Sequence, residues 1–433
     1  MYSRIYWAVT ATIIFGFISF FGMGCEDDDD GGGESKLIIR NLSEYEYSDL
    51  WVVIHDPVTD SVLQVSHFTE PGSHEIPNVP SLFTLTLVQD EYGMVRISTF
   101  PNVKRQSWNL SPLILFVFPD GEVMLQIKLP DANIGRVTAT LPGSFAELDT
   151  FRYEGEQWAF GSLPYLNTPG RGQSLLVIAR GQEQCYANWL TDQTFSEEYD
   201  FRNLTVNRIA QNKRLALSTL VSRLYALGHN TENGRWPYIF DDIADEVPFS
   251  ECELVIPDFP VKDHWLSVET DDGAQMTYTQ KFATLPETMT IPQKSVSFGY
   301  MDSVRVNNIV VNGSADAVAV SWSASSFEHG VSWTVYAPSS SASISRPTLP
   351  DSVIGSVGVW ADFEPRTLSL YDYQPAANWD QFVYYVARGS SILENGLNGA
   401  YQLRYQLYDQ TVDSQPFEER GDLVSNQLMI KPQ

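Results

Sequence analysis

Residues 317–338 read AVAVSWSASSFEHGVSWTVYAP. Two runs rich in β-branched and aromatic residues, 317–325 and 331–338, flank a short stretch that ends in Gly330. Such residues suit a pleated surface, and a glycine between two of these runs is strand punctuation. Trp333 and Tyr336 stand three positions apart, so a regular strand sends them to opposite faces. The same grammar continues outward in HWLSVET, AQMTYTQKF, SVSFGY, LSLYDY, FVYYVARG and YQLRYQLYDQ, which complete eight strand-like runs beyond residue 260. Short strands in that number, bounded by turn residues, predict a sandwich or jelly roll rather than alternating strands and helices.

The upstream chain reads the same way. KLIIRNL, LWVVIHDP and FTLTLVQD are strand-like, and LILFVFPDGEVMLQIKL predicts a hairpin turning at Pro119-Asp120-Gly121. GRVTATLPG and QSLLVIARG add further strands. The exception is 207–227, where Leu217, Leu220, Val221 and Leu224 fall at helical spacing and Gly228 stands ready as a C-terminal cap. The alternating RLALST within it keeps a strand open as the other reading. The expectation is an all-β chain of tandem β-sandwiches, Ig-like, transthyretin-like or jelly-roll, with at most one helix near 207–227. At 433 residues it should divide. The boundaries drawn are 1–24 (signal), 25–36 (tether), 37–102 (N-terminal sandwich), 103–260 (middle domain) and 261–433 (C-terminal sandwich).

Lys and Arg total 27 against 54 Asp and Glu, a net charge of −27. Such a surface repels phosphate backbones, which excludes nucleic acid as a partner. Three cysteines occur, Cys25, Cys185 and Cys252, and their spacing fits no metal motif. If Cys25 is spent on an anchor, Cys185 and Cys252 are left either as a disulfide or as two free buried thiols.

Ile5 to Met23 is uncharged and follows Arg4, the layout of a secretory signal. Gly22-Met23-Gly24-Cys25 resembles a bacterial lipobox, with Gly22 where such boxes usually carry Leu. The resemblance implies that Cys25 is lipidated and becomes the mature N-terminus. Glu26 to Asp30 directly after it resembles the surface-export signal of Bacteroidota lipoproteins. Together these imply an exported protein held at the outer membrane, on the cell surface. Gly31-Gly32-Gly33 and the acidic run should form an extended tether. Residues 37–98 carry Val53-Ile54-His55-Asp56, Thr59-Asp60-Ser61-Val62, Gly72, Ile76-Pro77-Asn78-Val79-Pro80 and Phe83-Thr84-Leu85-Thr86-Leu87. That order resembles a carboxypeptidase-regulatory or transthyretin-like module, with Asp60 in place of the usual turn glycine. It implies a structural or binding module without catalytic residues.

No GxSxG elbow, HExxH or phosphate loop is present, and no catalytic residue, cofactor or metal is assigned. His55, His67 and His74 lie close in sequence but at no ligand spacing, and read as ordinary surface histidines. Asp241, Asp242, Asp245, Glu246, Glu251 and Glu253, flanked by Pro237 and Pro248, read as a solvated loop rather than a calcium site. Aromatic residues crowd the last third, and Trp333, Trp360 and Trp379 are the ones expected to face a ligand. The favoured function is a non-catalytic surface protein for adhesion, envelope structure or protein binding. The alternative is a glycan-binding lipoprotein, which requires a planar row of exposed aromatics on one domain. A hydrolase with a site assembled from loops ranks third. Cys25→Ser should abolish incorporation of labelled fatty acid and leave the precursor uncleaved. Unchanged processing in that variant overturns the lipobox.

Overall fold

Alternation decides where strands form. Gly121–Lys128 alternates buried and half-buried residues without a break, the signature of a strand with one face in a core. The computed structural model describes residues 36–41, 48–91, 94–104, 107–110, 121–130, 133–141, 144–165, 173–195, 199–230, 237–258, 261–271, 274–325, 330–357, 363–388 and 399–408. Cys25, its apolar leader, the acidic tether, the Pro119-Asp120 turn and Trp360 lie outside these residues.

The first strands are β1 (Leu37–Asn41), β2 (Ser48–His55), β3 (Val62–Phe68), β4 (Gly72–Ile76), β5 (Leu82–Glu91), β6 (Met94–Lys104) and β7 (Ser107–Leu110). Next come β8 (Gly121–Lys128), β9 (Ile134–Leu141), β10 (Ser144–Tyr153), β11 (Glu156–Tyr165), β12 (Gln173–Gly181), β13 (Cys185–Gln193), β14 (Tyr199–Thr205) and β15 (Arg208–Ile209). Two long strands, β16 (Gln211–Asn230) and β17 (Pro237–Ile256), lead to β18 (Val261–Asp271), β19 (Gln275–Phe282) and β20 (Thr288–Met289). Five short or medium strands follow, β21 (Ser295–Ser297), β22 (Tyr300–Met301), β23 (Arg305–Asn307), β24 (Val310–Asn312) and β25 (Ala317–Ser325). The chain then forms β26 (Gly330–Pro338), β27 (Ser343–Ser345), α1 (Asp351–Val357), β28 (Glu364–Tyr373), α2 (Trp379–Arg388) and β29 (Tyr401–Tyr408). The protein is all-β, built of packed sheets. Among the described residues no helix is long and apolar enough to cross a membrane.

The sheets do not follow the boundaries drawn at 102/103 and 260/261. β6 straddles the first, and pairs in parallel with β26, Met94 opposite Gly330 through Thr99 opposite Val335. β16, placed in the middle domain, pairs with β17 on one side and β18 on the other. One continuous sheet, ordered β17-β16-β18-β19-β29-β28-β25-β26-β6-β5-β2-β3, therefore crosses all three regions. Parallel pairing needs a long crossover, which is why a local reading of hairpins misses the β6–β26 joint.

From β28 to β2 this sheet is covered on both faces. Leu50, Val52, Leu85, Ala319 and Tyr371 pack with Leu37, Ile39 and Trp108 of the sheet β4-β1-β7 and with Phe382 of α2. The opposite face, Val53, Val88, Ile97, Val320 and Trp333, packs against Val306, Ile344, Val353 and their neighbours on the small strands and α1. A strand buried on both sides reads as a nearly unbroken apolar run, which is what AVAV at the start of β25 is. In the module at the N-terminus, Asp60 takes φ 55°, so it adopts the left-handed conformation of the turn glycine it replaces. Asp56 braces that turn by accepting from the Val58 and Thr59 amides at 2.9 and 2.8 Å.

One open reading is decided and one local expectation is corrected. Residues 211–230 form a strand, not a helix, and Leu220 is 58% exposed. Register shifts near Val221 move the core-facing set from Leu215, Leu217 and Val221 to Leu224 and Ala226. A bulge thus imitates helical spacing along a strand. Conversely, residues 382–388 of FVYYVARG are helical, in α2. Asn378 Oδ1 accepts from the Gln381 amide at 3.1 Å while Gln381 Oε1 accepts from the Ala377 amide at 2.7 Å, a reciprocal cap at its start. Phe382, Val383 and Ala387 then bury one face of it.

Cys185 and Cys252 are free thiols, so the structure takes the second of the two readings and not the disulfide. Both contribute to the apolar layer between β12-β13 and the β16–β17 hairpin. Burial pushes both thiols up, Cys252 to about 11, so neither forms the nucleophilic thiolate at neutral pH. Mass spectrometry after alkylation in denaturant without reductant should find both labelled. Gly228 is no cap: a Cβ there would stand within 2.5 Å of Phe240 and Val261. Gly228→Ala should therefore cost about 1–3 kcal/mol in urea unfolding, the usual range for overpacking.

Candidate functional site

The middle sandwich closes over Val123, Leu125, Ile127, Ala159 and Leu163 from one sheet and Val137, Ala139, Leu175 and Val177 from the other. β10 belongs to both. Its first half pairs with β9 and its second half with β11, so it turns the corner between them. The two outer faces fare differently. The outside of β9-β12-β13 meets the β16–β17 hairpin, with Leu176, Ile178 and Ala187 buried there. The outside of β14-β8-β11-β10 carries Phe151, Tyr153 and Phe160, three exposed aromatics on one hairpin, whereas Tyr300 and Tyr384 are exposed singly elsewhere.

The hairpin FRYEGEQWAF turns at Glu154 and Gly155, both in the left-handed region at φ 52° and 83°, as a two-residue connection requires. Phe151 pairs with Trp158, Asp149 with Phe160 and Tyr153 with Glu156. Directly paired residues share a face, and residues two apart along a strand share it too. Phe151, Tyr153, Trp158 and Phe160 therefore stand on one side. Phe151 is 42%, Tyr153 60% and Phe160 39% exposed, and Trp158 is half-buried. The inner side of the same strands holds Ala159 and Leu163 in the core.

Polar side chains continue the face across the sheet. Lys128 lies beside Trp158 and Gln126 beside Phe160, with Thr205 and Asn203 next in line on β14. The Lys128 ammonium sits 5.8 Å from the Trp158 ring centre and pairs with Glu156. Neighbouring strands lie about 4.8 Å apart and alternate residues about 6.8 Å apart, so rings and hydrogen-bonding groups are interleaved at regular spacing. Chemically this surface offers apolar faces with donors and acceptors at their edges.

The tryptophans expected to face a ligand do not form such a surface. Trp333 is 4% exposed, and its Nε1 donates to Thr99 Oγ1 at 3.1 Å inside the core. Trp379 is half-buried, stacked on Phe382, with its Nε1 donating to the Pro101 carbonyl at 3.2 Å. Trp360 lies outside the described residues. The double-sided burial of the central sheet absorbs Trp322, Trp333 and Tyr371. The hairpin was missed because its aromatics are few, although their alternation on both arms of a Glu-Gly turn was legible.

The other candidates resolve into structure. His67 stacks on Trp51 and lies 3.3 Å from Asp49, His74 stacks on Phe68, and His55 is buried. Among the described residues no three metal-ligating side chains gather. The acidic stretch around Asp241 is part of β17, not a loop. Asp241 is buried against Arg180 and accepts from the Val255 amide at 3.1 Å; Arg223 grips Asp242 at 2.8 and 2.6 Å. Arg136 donates to the Asp242 carbonyl, so arginines of β9 and β12 tie the middle sandwich to the long hairpin. Burial raises the Asp241 carboxyl while Arg180 opposes the shift, which keeps the pair a structural clamp.

No family model matches the chain. No curated protein matches it. Among solved structures it is similar to a candidate adhesin from Bacteroides ovatus, at 8% identity and a TM-score of 0.15, covering 44% of this chain and 98% of that one. It is also similar to immunoglobulin domains 1–4 of Sidekick-1, at 7% identity and a TM-score of 0.15, covering 78% of this chain and 90% of that one.

Proposed function

We propose that this protein is a non-catalytic, lipid-anchored surface protein of the outer membrane that binds neutral glycan through the outer face of β14-β8-β11-β10. The observation that supports the reading is the group Phe151, Tyr153 and Phe160, exposed together with the half-buried Trp158 on one side of one hairpin. The apolar C–H face of a sugar ring stacks on an aromatic ring, while Gln126, Asn203, Thr205 and Asp149 at the edges suit its hydroxyls. The net charge of −27 disfavours acidic polymers. Adhesion and glycan binding merge in this reading: the anchor would fix the protein to its cell and the aromatic face would hold a polysaccharide outside it.

Affinity electrophoresis in gels cast with soluble β-glucan, xylan or α-mannan tests the face. At least one should retard the protein and quench its tryptophan fluorescence. The triple variant Phe151→Ser/Tyr153→Ser/Phe160→Ser, altered only at exposed positions, should bind at least tenfold more weakly. Loss of about 1.4 kcal/mol of stacking corresponds to that factor. If no neutral polysaccharide binds, the glycan reading is wrong. Should the variant then also reduce attachment of whole cells to protein-coated surfaces, the face serves a protein receptor instead.

A further inference from the structure

A second site lies far along the chain from the aromatic hairpin. Arg346 follows β27, and its guanidinium packs over three rings, 4.2 Å from the centre of Phe363, 5.0 Å from Trp333 and 5.6 Å from Trp322. Its Nη2 donates to the Ser303 carbonyl. Its Nε is buried and has no hydrogen-bond partner among the described residues. Asp302 is the nearby carboxylate whose charge acts on the guanidinium, while its Oδ1 accepts from the Val304 and Arg305 amides, both at 2.8 Å. Oδ2 of Asp302 lies 3.8 Å from the Arg305 Nε. Burial lowers Arg346 to about 10, which still leaves it charged at neutral pH.

Beside this guanidinium is a concave pocket of about 240 Å³, walled by Val304, Trp333, Pro347, Leu349, Ile354 and Phe363. An apolar cavity of about 150 Å³ is enough to take a benzene ring. The walls are apolar apart from the arginine and Thr348, so the recess combines room for a hydrocarbon body with one partly desolvated cation. A buried N–H without a partner is costly, and a carboxylate is the acceptor that suits a guanidinium best. On a chain of net charge −27 the long-range field opposes anions, so any anion held here is held by local contacts.

We propose that this pocket binds a small carboxylic acid with an apolar body, its carboxylate on Arg346 and its body between Trp333, Leu349 and Phe363. Benzoate is the probe, with benzamide as the neutral isostere and acetate as the carboxylate without a body. Calorimetry on the wild-type protein should show saturable binding of benzoate at least tenfold tighter than of either control, with quenching of tryptophan fluorescence. Arg346→Gln should weaken benzoate at least tenfold while the far-UV spectrum stays native. Val304→Trp, at a half-exposed position on the mouth, keeps the arginine and should block entry. It decides the matter if the arginine variant fails to fold. No saturable benzoate binding, equal affinity for benzamide, or full affinity in a folded variant of either kind overturns the site and leaves Arg346 as a packing element.

Discussion

The parallel joint between β6 and β26 is the contact on which the rest of the molecule hangs. Residues 94–99 and 330–335 come together across most of the chain length and extend the N-terminal strands into the C-terminal ones. The indole of Trp333 donates to Thr99 across that joint. Once formed, it yields a sheet too wide to leave either face to water. The strands β4-β1-β7 with α2 close one side, and the small strands with α1 close the other. Burying both faces removes more apolar area than a half-exposed sheet could, the dominant favourable contribution to a fold of this kind.

That double coverage also bears on where exposed aromatics lie. In the C-terminal third several tryptophans and tyrosines serve as packing, Trp322 fully buried and Tyr336 stacked on Phe100, while Tyr300 and Tyr384 stay exposed. In the middle sandwich the outer face of β9-β12-β13 is occupied by the long hairpin, where arginines of β9 and β12 meet Asp241 and Asp242. Phe145, near the start of β10, packs against Tyr225, Leu227, Ile239 and Trp265. Farther along the same side of β10, Phe151 and Tyr153 are past the reach of that hairpin and face solvent. One strand therefore carries an aromatic line that begins in an interface and ends as an open surface.

The two sites call for different chemistry. The hairpin face is open and mixed, with rings alternating with amides and hydroxyls. The pocket at Arg346 is concave, with one cation set among rings. An open face with regularly spaced groups suits an extended polymer whose units repeat, whereas a recess with a single charge suits a discrete small acid. Neither requires a nucleophile or a metal.

Composition and period-two alternation determined, by themselves, that the chain is all-β, because such patterns are local and each strand declares its buried face. The resemblance of residues 22–30 to a lipobox with an acidic export signal was legible separately, since a motif of that kind is read as covalent sequence and needs no fold. Asp60 in the turn was legible as a departure, and only its backbone conformation showed why it is tolerated. Strand partners more than two hundred residues apart were not legible, since nothing local records which edges meet. Bulged β16 looked helical because register shifts copy helical spacing, and α2 looked like a strand because aromatic residues serve both. Which aromatics see solvent was decided by the tertiary structure alone. Exposure belongs to what covers a sheet, not to the residues that compose it.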